Sequence, residues 1–190
     1  MQSKSQRKVK YMKKILKKIL NKLMKKSNVD IAKELGVSIG KDCLIYADPY
    51  LCFGSEPYLV EIGDHVEITG GCRLITHDGA VWTLRTQPEL ANIDKFGKIT
   101  IGNNVFIGMN STVLPGVTIG DNCIVGACSL VTKDIPSGEV WGGVPAHYIS
   151  TLCEYRDKAV LKADYTKGLS SAEKEKAIKA NHSEWFKSKA

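Results

Sequence analysis

From Ile101 onward an aliphatic side chain returns at every sixth position, at Ile107, Val113, Ile119, Val125 and Val131. Glycine directly follows four of these residues, as Gly102, Gly108, Gly120 and Gly126. The same step runs upstream through Ile39, Ile45 and Leu51 and again through Ile62, Ile68 and Leu74, so the pattern occupies most of residues 37–135. A helical stripe recurs every three or four residues and a half-buried strand alternates by two, whereas a step of six suits one short strand followed by one bend. Gly or Asn after the inward residue supplies the positive φ or the tight backbone that such a corner demands, and Pro115-Gly116 is a turn pair of the same kind. Three such faces close a triangle. The predicted architecture is a prism of parallel strands, with Ile101 over Ile119, Ile107 over Val125 and Val113 over Val131 in its interior.

Three segments escape the period. Residues 75–98 cannot lie within the coil, and a long excursion from a rigid scaffold is often functional. Residues 1–34 form an arm in which Lys4 to Lys26 reads as an amphipathic helix, with Met12, Ile15, Leu16, Ile19 and Leu23 on one stripe and lysines elsewhere. Such a stripe can lie on anionic lipid or pack on a neighbouring element or subunit. Residues 150–190 make a tail in which Ser170-Ser171-Ala172-Glu173 forms a capping box ahead of a Lys-rich helix ending near Ala180. The prism itself spans residues 35–149.

Composition fits one soluble domain: 190 residues, 43% hydrophobic and 25% charged. The net charge of +7 suggests nucleic acid until it is located. Residues 1–29 hold ten Lys, one Arg and no acid, which leaves 16 basic residues against 20 acidic in the rest. A mildly acidic body with one cationic end argues against a nucleic-acid-binding core and for a basic arm that touches anionic lipid, as at the inner face of a membrane, or an anionic polymer or nucleic acid. No apolar run approaches the roughly 18 residues of a membrane span, and the basic N-terminus lacks the apolar block of a secretory signal, so a cytoplasmic location is expected. Cys43, Cys52, Cys72, Cys123, Cys128 and Cys153 contain no C-x-x-C pair and read as small buried apolar residues.

The stretches E-P-Y-L-V-E-I-G-D-H-V-E-I, L-I-T-H-D-G-A-V-W, N-V-F-I-G-M-N-S-T-V-L-P-G-V-T-I-G-D-N-C-I-V-G-A and V-T-K-D-I-P-S-G-E-V-W-G-G-V-P-A resemble the hexapeptide-repeat acyltransferases. In particular they resemble bacterial sugar O-acetyltransferases of capsule, exopolysaccharide or lipopolysaccharide decoration and, more distantly, maltose, galactoside and streptogramin acetyltransferases. The resemblance implies an all-β, left-handed parallel β-helix. Period alone does not fix that hand, since parallel crossovers are nearly always right-handed. It also implies a homotrimer that moves an acetyl group from acetyl-CoA to a hydroxyl of a sugar or lipid-linked glycan without a metal. Two alternatives stand beside it: N-acetylation of an amino sugar, and a non-catalytic β-helical assembly scaffold. The γ-type carbonic anhydrases share the prism, but their zinc site needs two closely spaced histidines, and His65, His77, His147 and His182 offer no such pair.

His77 sits at the root of the excursion, in T-H-D-G, where the resembled enzymes carry their general base; imidazole suits that work because it titrates near neutrality. Its other nitrogen needs a holder, for which Asp78 and Glu56 are the candidates. Trp82 and Arg85 lie in the excursion, where an aromatic face and a cation suit a sugar ring and an anionic group. The resemblance places the pantetheine arm of the donor along backbone groups of Met109 and Ala127, and its nucleotide end at Thr132 and Lys133. The loop beginning Trp141-Gly142 follows the last coil, where paired glycines permit close backbone approach.

Overall fold

The computed structural model describes residues 26–186 together with Leu16. Apart from Leu16 and Lys26, the helix predicted over Lys4–Lys26 lies outside the described residues. After Leu152 the chain divides into two compact units.

The first unit opens with helix α1, Asn28–Leu35, which starts at a capping box between Ser27 and Asp30 and stops at Gly36, whose φ of 108° is left-handed. Its Ile31 and Ala32 are buried, so these residues belong to the core and not to a solvated arm. Twelve short strands follow, β1 Ser38–Ile39, β2 Leu44–Ile45, β3 Val60–Ile62, β4 Val66–Ile68, β5 Arg73–Leu74, β6 Ile99–Ile101, β7 Val105–Ile107, β8 Thr112–Val113, β9 Thr118–Ile119, β10 Ile124–Val125, β11 Leu130–Val131 and β12 Glu139–Gly142; β13, His147–Thr151, then turns back. Successive strands join three sheets in rotation, so the chain winds around an axis. One sheet runs β1-β3-β6-β9, the second β2-β4-β7-β10-β12-β13 and the third β5-β8-β11. Every pair in them is parallel except β12 with β13.

The register stacks Ile101 on Ile119, Ile107 on Val125 and Val113 on Val131. Ile62 and Ile68 continue two of the ladders upstream, and all of these side chains are buried in one core. One expectation changes and another is narrowed. Leu51 is half exposed and lies in a one-turn helix, α2, Pro49–Cys52, instead of a strand. Asp48 caps that turn by accepting a hydrogen bond from Tyr50 N at 2.9 Å, with Pro49 in the first helical position, and Cys52 and Phe53 fill the core in place of Leu51. Of the two roles expected for the glycines after the inward aliphatics, Gly102, Gly108 and Gly120 fill the tight-backbone one and none has a positive φ. A Cβ on Gly108 would sit 2.4 Å from Ala127 N in the next coil, yet Gly108 is not left-handed; the left-handed positions include Asp42, His65, Asn104, Asn110, Asn122 and Cys128, together with Gly71 and with Gly116 of the expected turn pair.

Not all six cysteines are buried as expected: Cys52, Cys72 and Cys123 are, Cys43 is half-buried, and Cys128 and Cys153 are exposed. Cys128 occupies a left-handed corner, where the side chain leaves the core. Burial pushes the Cys52 thiol up to about 12, so it remains a protonated packing group.

The second unit contains α3, Leu152–Val160, and α4, Ser171–Asn181, the latter begun by the Ser170–Glu173 capping box. His182 stacks on Trp185 at 3.8 Å and meets Asp164 through Nε2 at 2.7 Å, which ties the end of α4 to the loop before it.

Since Ile107 is fully buried between Ile68 and Val125, Ile107→Ala should cost about 2–5 kcal/mol of unfolding free energy. Leu51→Ala should stay within about 0.5 kcal/mol. Denaturant unfolding of the two variants checks the placement of the ladder.

Candidate active site

The coil pairing persists one residue beyond β5, where Ile75 N donates to Val113 O at 2.9 Å, and the chain then leaves the prism. The excursion is pinched at its root by an antiparallel bridge between His77 and Phe96, flanked by Asp78 N to Lys95 O at 2.8 Å and Gly97 N to Thr76 O at 2.9 Å. Between these points the chain makes two 3₁₀ turns, Gly79–Thr86 and Pro88–Leu90. Glu56 enters from the opposite end of the same coil, just before the turn Pro57–Leu59 that leads into β3. One revolution of the prism therefore carries the chain from Glu56 back to His77.

His77 Nδ1 lies 2.8 Å from Glu56 Oε2. Thr76, almost wholly buried, donates its hydroxyl to the same oxygen at 3.1 Å. Burial by itself would raise the Glu56 carboxyl, but hydrogen bonds from Ser55, His77 and Thr76 outweigh it and hold the group below its ordinary value. An ionised carboxylate only accepts, so the ring carries its proton on Nδ1, and Nε2 is left as a proton acceptor. The His77 side chain is 44% exposed while that of Glu56 is 16% exposed, so the carboxylate lies deeper than the ring.

Asp78 does not meet His77. Its Oδ1 accepts from Ala80 N at 3.0 Å to begin the first 3₁₀ turn, and its Oδ2 pairs with Lys95 at 3.0 Å. The Lys95 contact, then the Ala80 amide, hold this exposed carboxyl below its usual range. Trp82 and Arg85 share with Glu56 and His77 a cleft of about 460 Å³ that Phe96 and Lys95 complete. Trp82 stands exposed, but Arg85 is engaged: its Nε donates to Ile93 O at 3.0 Å and its Nη2 pairs with Asp94.

The residues expected at the donor are on the faces beyond. Met109 and Ala127 are exposed neighbours at one corner, where Cys128 N donates to Met109 O at 2.7 Å. Thr132 and Lys133 are exposed just after β11. Trp141 is otherwise placed: paired with Val125 in the inward register, its ring is the last rung of a core ladder, its Nε1 donates to Glu139 at 2.6 Å, and the Lys133 ammonium sits 5.2 Å from its centroid. Gly142 is buried, and a Cβ there would meet Ile149 Cδ1 at 3.0 Å and the Cα of Gly126 at 3.8 Å.

Residues 98–133 match the family model described as bacterial transferase hexapeptide (six repeats). Protein CapG of Staphylococcus aureus is 53% identical over 146 residues, 76% of this chain and 83% of that protein. Galactoside O-acetyltransferase of Escherichia coli (strain K12) is 35% identical over 153 residues, 71% of this chain and 73% of that enzyme. The chain belongs to the hexapeptide-repeat acetyltransferases. Among solved structures, the hexapeptide-repeat-containing acetyltransferase VCA0836 of Vibrio cholerae is 30% identical with a TM-score of 0.50, over 62% of this chain and 63% of that one.

In this hexapeptide-repeat acetyltransferase the sequence pointed to the histidine and to Glu56, but Ser55 and Thr76, which complete the carboxylate's hydrogen bonds, went unnoticed. The only signal for Thr76 was its place beside His77 where the period breaks. Among the described residues no group of His, Cys, Asp or Glu could hold a metal ion, and no helix is long and apolar enough to cross a membrane.

Because Glu56 has a folded pKa below its unfolded one, its contribution to stability is full above about pH 4.5 and is lost as the pH falls through the lowered value. The stability advantage of the native chain over Glu56→Gln should therefore shrink as the pH falls below about 4.5. Parallel denaturation series at each pH measure it.

Proposed function

We propose that this acetyltransferase moves an acetyl group from acetyl-CoA to a hydroxyl of a cell-surface glycan precursor, with His77 as general base and Glu56 as its holder. The observation that carries the reading is the His77–Glu56 pair, lining a cleft together with an exposed Trp82. In the reaction His77 Nε2 takes the proton of the acceptor hydroxyl as its oxygen attacks the thioester carbonyl; the carbon–sulfur bond breaks, and the proton passes to the departing thiolate. Glu56 stays ionised, fixes the ring and balances the imidazolium that forms. No covalent acyl-enzyme is needed.

The acceptor is read as a sugar because Trp82 offers an aromatic face beside the base. Capsule or related polysaccharide is the setting, supported by the identity to CapG. The left-handed sense of winding, a homotrimer with the donor in the groove between subunits, and contacts of Met109, Ala127, Thr132, Lys133 and Gly142 with that donor belong to the same reading, on the strength of family membership and of the exposure of the first four. Six free cysteines support a reducing, cytoplasmic compartment. Thiol release from acetyl-CoA, measured against a panel of sugars, nucleotide sugars and lipid-linked glycans, tests the whole; no release with any of them would favour a scaffold, and release only with amino sugars would favour N-acetylation.

Loss of the base should cost at least about a hundredfold in kcat for His77→Ala, with the affinity for acetyl-CoA largely kept. Glu56→Gln should lower kcat without raising the KM for acetyl-CoA, and nearly full turnover in either variant removes that residue from the mechanism. Lys133 is exposed and can leave the Trp141 ring for the donor phosphates, so Lys133→Ala should raise the KM for acetyl-CoA at low salt, and the defect should shrink as salt rises. An unchanged KM at low salt would leave Lys133 as a cover for Trp141.

A further inference from the structure

The chain leaves the prism through Leu74, Ile75 and Thr76, which are buried, half-buried and buried in turn. Side chains of an extended segment alternate, so Thr76 falls on the inward side that Leu74 occupies. Only 1% of Thr76 is exposed. A hydroxyl at that depth costs free energy unless it finds a partner, whereas a valine of nearly the same shape would need none. The partner is Glu56: Thr76 Oγ1 donates to Oε2 at 3.1 Å, the same oxygen that His77 Nδ1 meets at 2.8 Å.

Two donors on one oxygen fix what the carboxylate cannot fix alone. The last torsion of a glutamate side chain is broad and roughly two-fold, so nothing in that side chain's own geometry aims Oε2 at the ring. Ser55 also bonds to the carboxylate, but it is exposed and adjoins Glu56 in the chain. Thr76 is anchored independently of Glu56 and on both sides. Ile75 N donates to Val113 O at 2.9 Å, which holds the preceding residue to the prism, and Thr76 O accepts from Gly97 N at 2.9 Å, which closes the root of the excursion. Its hydroxyl is a fixed point of the scaffold against which Oε2, and through it the imidazole, is set.

We infer that Thr76 is a positioning residue of the acetyl transfer, its hydroxyl holding Glu56 Oε2 toward His77 Nδ1 so that the ring keeps one orientation and offers Nε2 to the acceptor. The assignment rests on His77 acting as the general base. Glu56 and His77 line the cleft and Thr76 does not, so Thr76 touches no substrate there and acts through the pair. Proton transfer depends steeply on geometry, and a misplacement of about 1 Å can cost up to about a hundredfold in rate. The binding of acetyl-CoA, by contrast, does not depend on where Oε2 points.

Steady-state kinetics of the full chain test this, by thiol release from acetyl-CoA with the acceptor of the panel that is turned over fastest. Thr76→Val should lower kcat about tenfold and leave the KM for acetyl-CoA within about twofold of native. Thr76→Ala should show the same split even if Thr76→Val folds poorly, and Thr76→Ser, which keeps the donor, should restore most of the rate. In a Glu56→Ala background, where the acceptor of the bond is gone, Thr76→Val should lower kcat no further, because residues that act as a unit are not additive. Near-native kcat in the valine and alanine variants, a serine variant as slow as they are, or a further loss of about tenfold on top of Glu56→Ala would each overturn the inference. Each of these leaves the general base standing as long as His77→Ala is slow. Nearly full turnover in His77→Ala, or a native chain that releases no thiol with any acceptor, would overturn both.

Discussion

Parallel stacking of one coil directly on another is the constraint from which the rest of this molecule follows. Adjacent coils approach so closely at the corners that a Cβ on Gly102 would lie 2.4 Å from Asp121 Oδ1 and one on Gly97 2.3 Å from Gly116 N. That distance lets each short strand bond to the strands before and after it, and it sets one inward aliphatic on another with no room for a wrong register. Strands of two or three residues would be marginal alone; their order comes from the ladder that they share.

A rigid ladder gives the site its accuracy. Glu56 and His77 are far apart along the chain, but the coil brings its beginning and its end to the same edge, and the pinch between His77 and Phe96 stops the excursion from pulling the imidazole away. The carboxylate then collects Ser55, Thr76 and His77, which lowers its pKa despite partial burial. Charges elsewhere in the cleft are used up locally, Arg85 by Asp94 and Lys95 by Asp78, so neither cation is left free to meet the His77–Glu56 pair. The cleft thus offers an aromatic face and an imidazole more than a free cation.

The two ends of the prism show how the period is terminated. Trp141 closes one end as the final rung of a ladder, and α1 with Cys52 and Phe53 fills the other, where a strand would have left an open hole. Both endings are departures from the six-residue step, and both replace a small aliphatic by larger or helical groups that cover exposed rungs.

The six-residue step determined the prism, its three faces and the pairing of its inward aliphatics, because one buried position per face recurs whatever the outward residues are. The break at Ile75 likewise exposed the excursion, and with it His77, in the linear sequence. Only the tertiary structure decided which carboxylate faces that histidine: Asp78 is adjacent in the chain, but its oxygens are taken by Ala80 and Lys95, while Glu56 arrives by a full turn of the coil that sequence spacing does not measure. Only the structure, too, turned Leu51 outward in favour of Phe53 and placed Trp141 in the core, since each choice depends on what the neighbouring coil leaves to be filled.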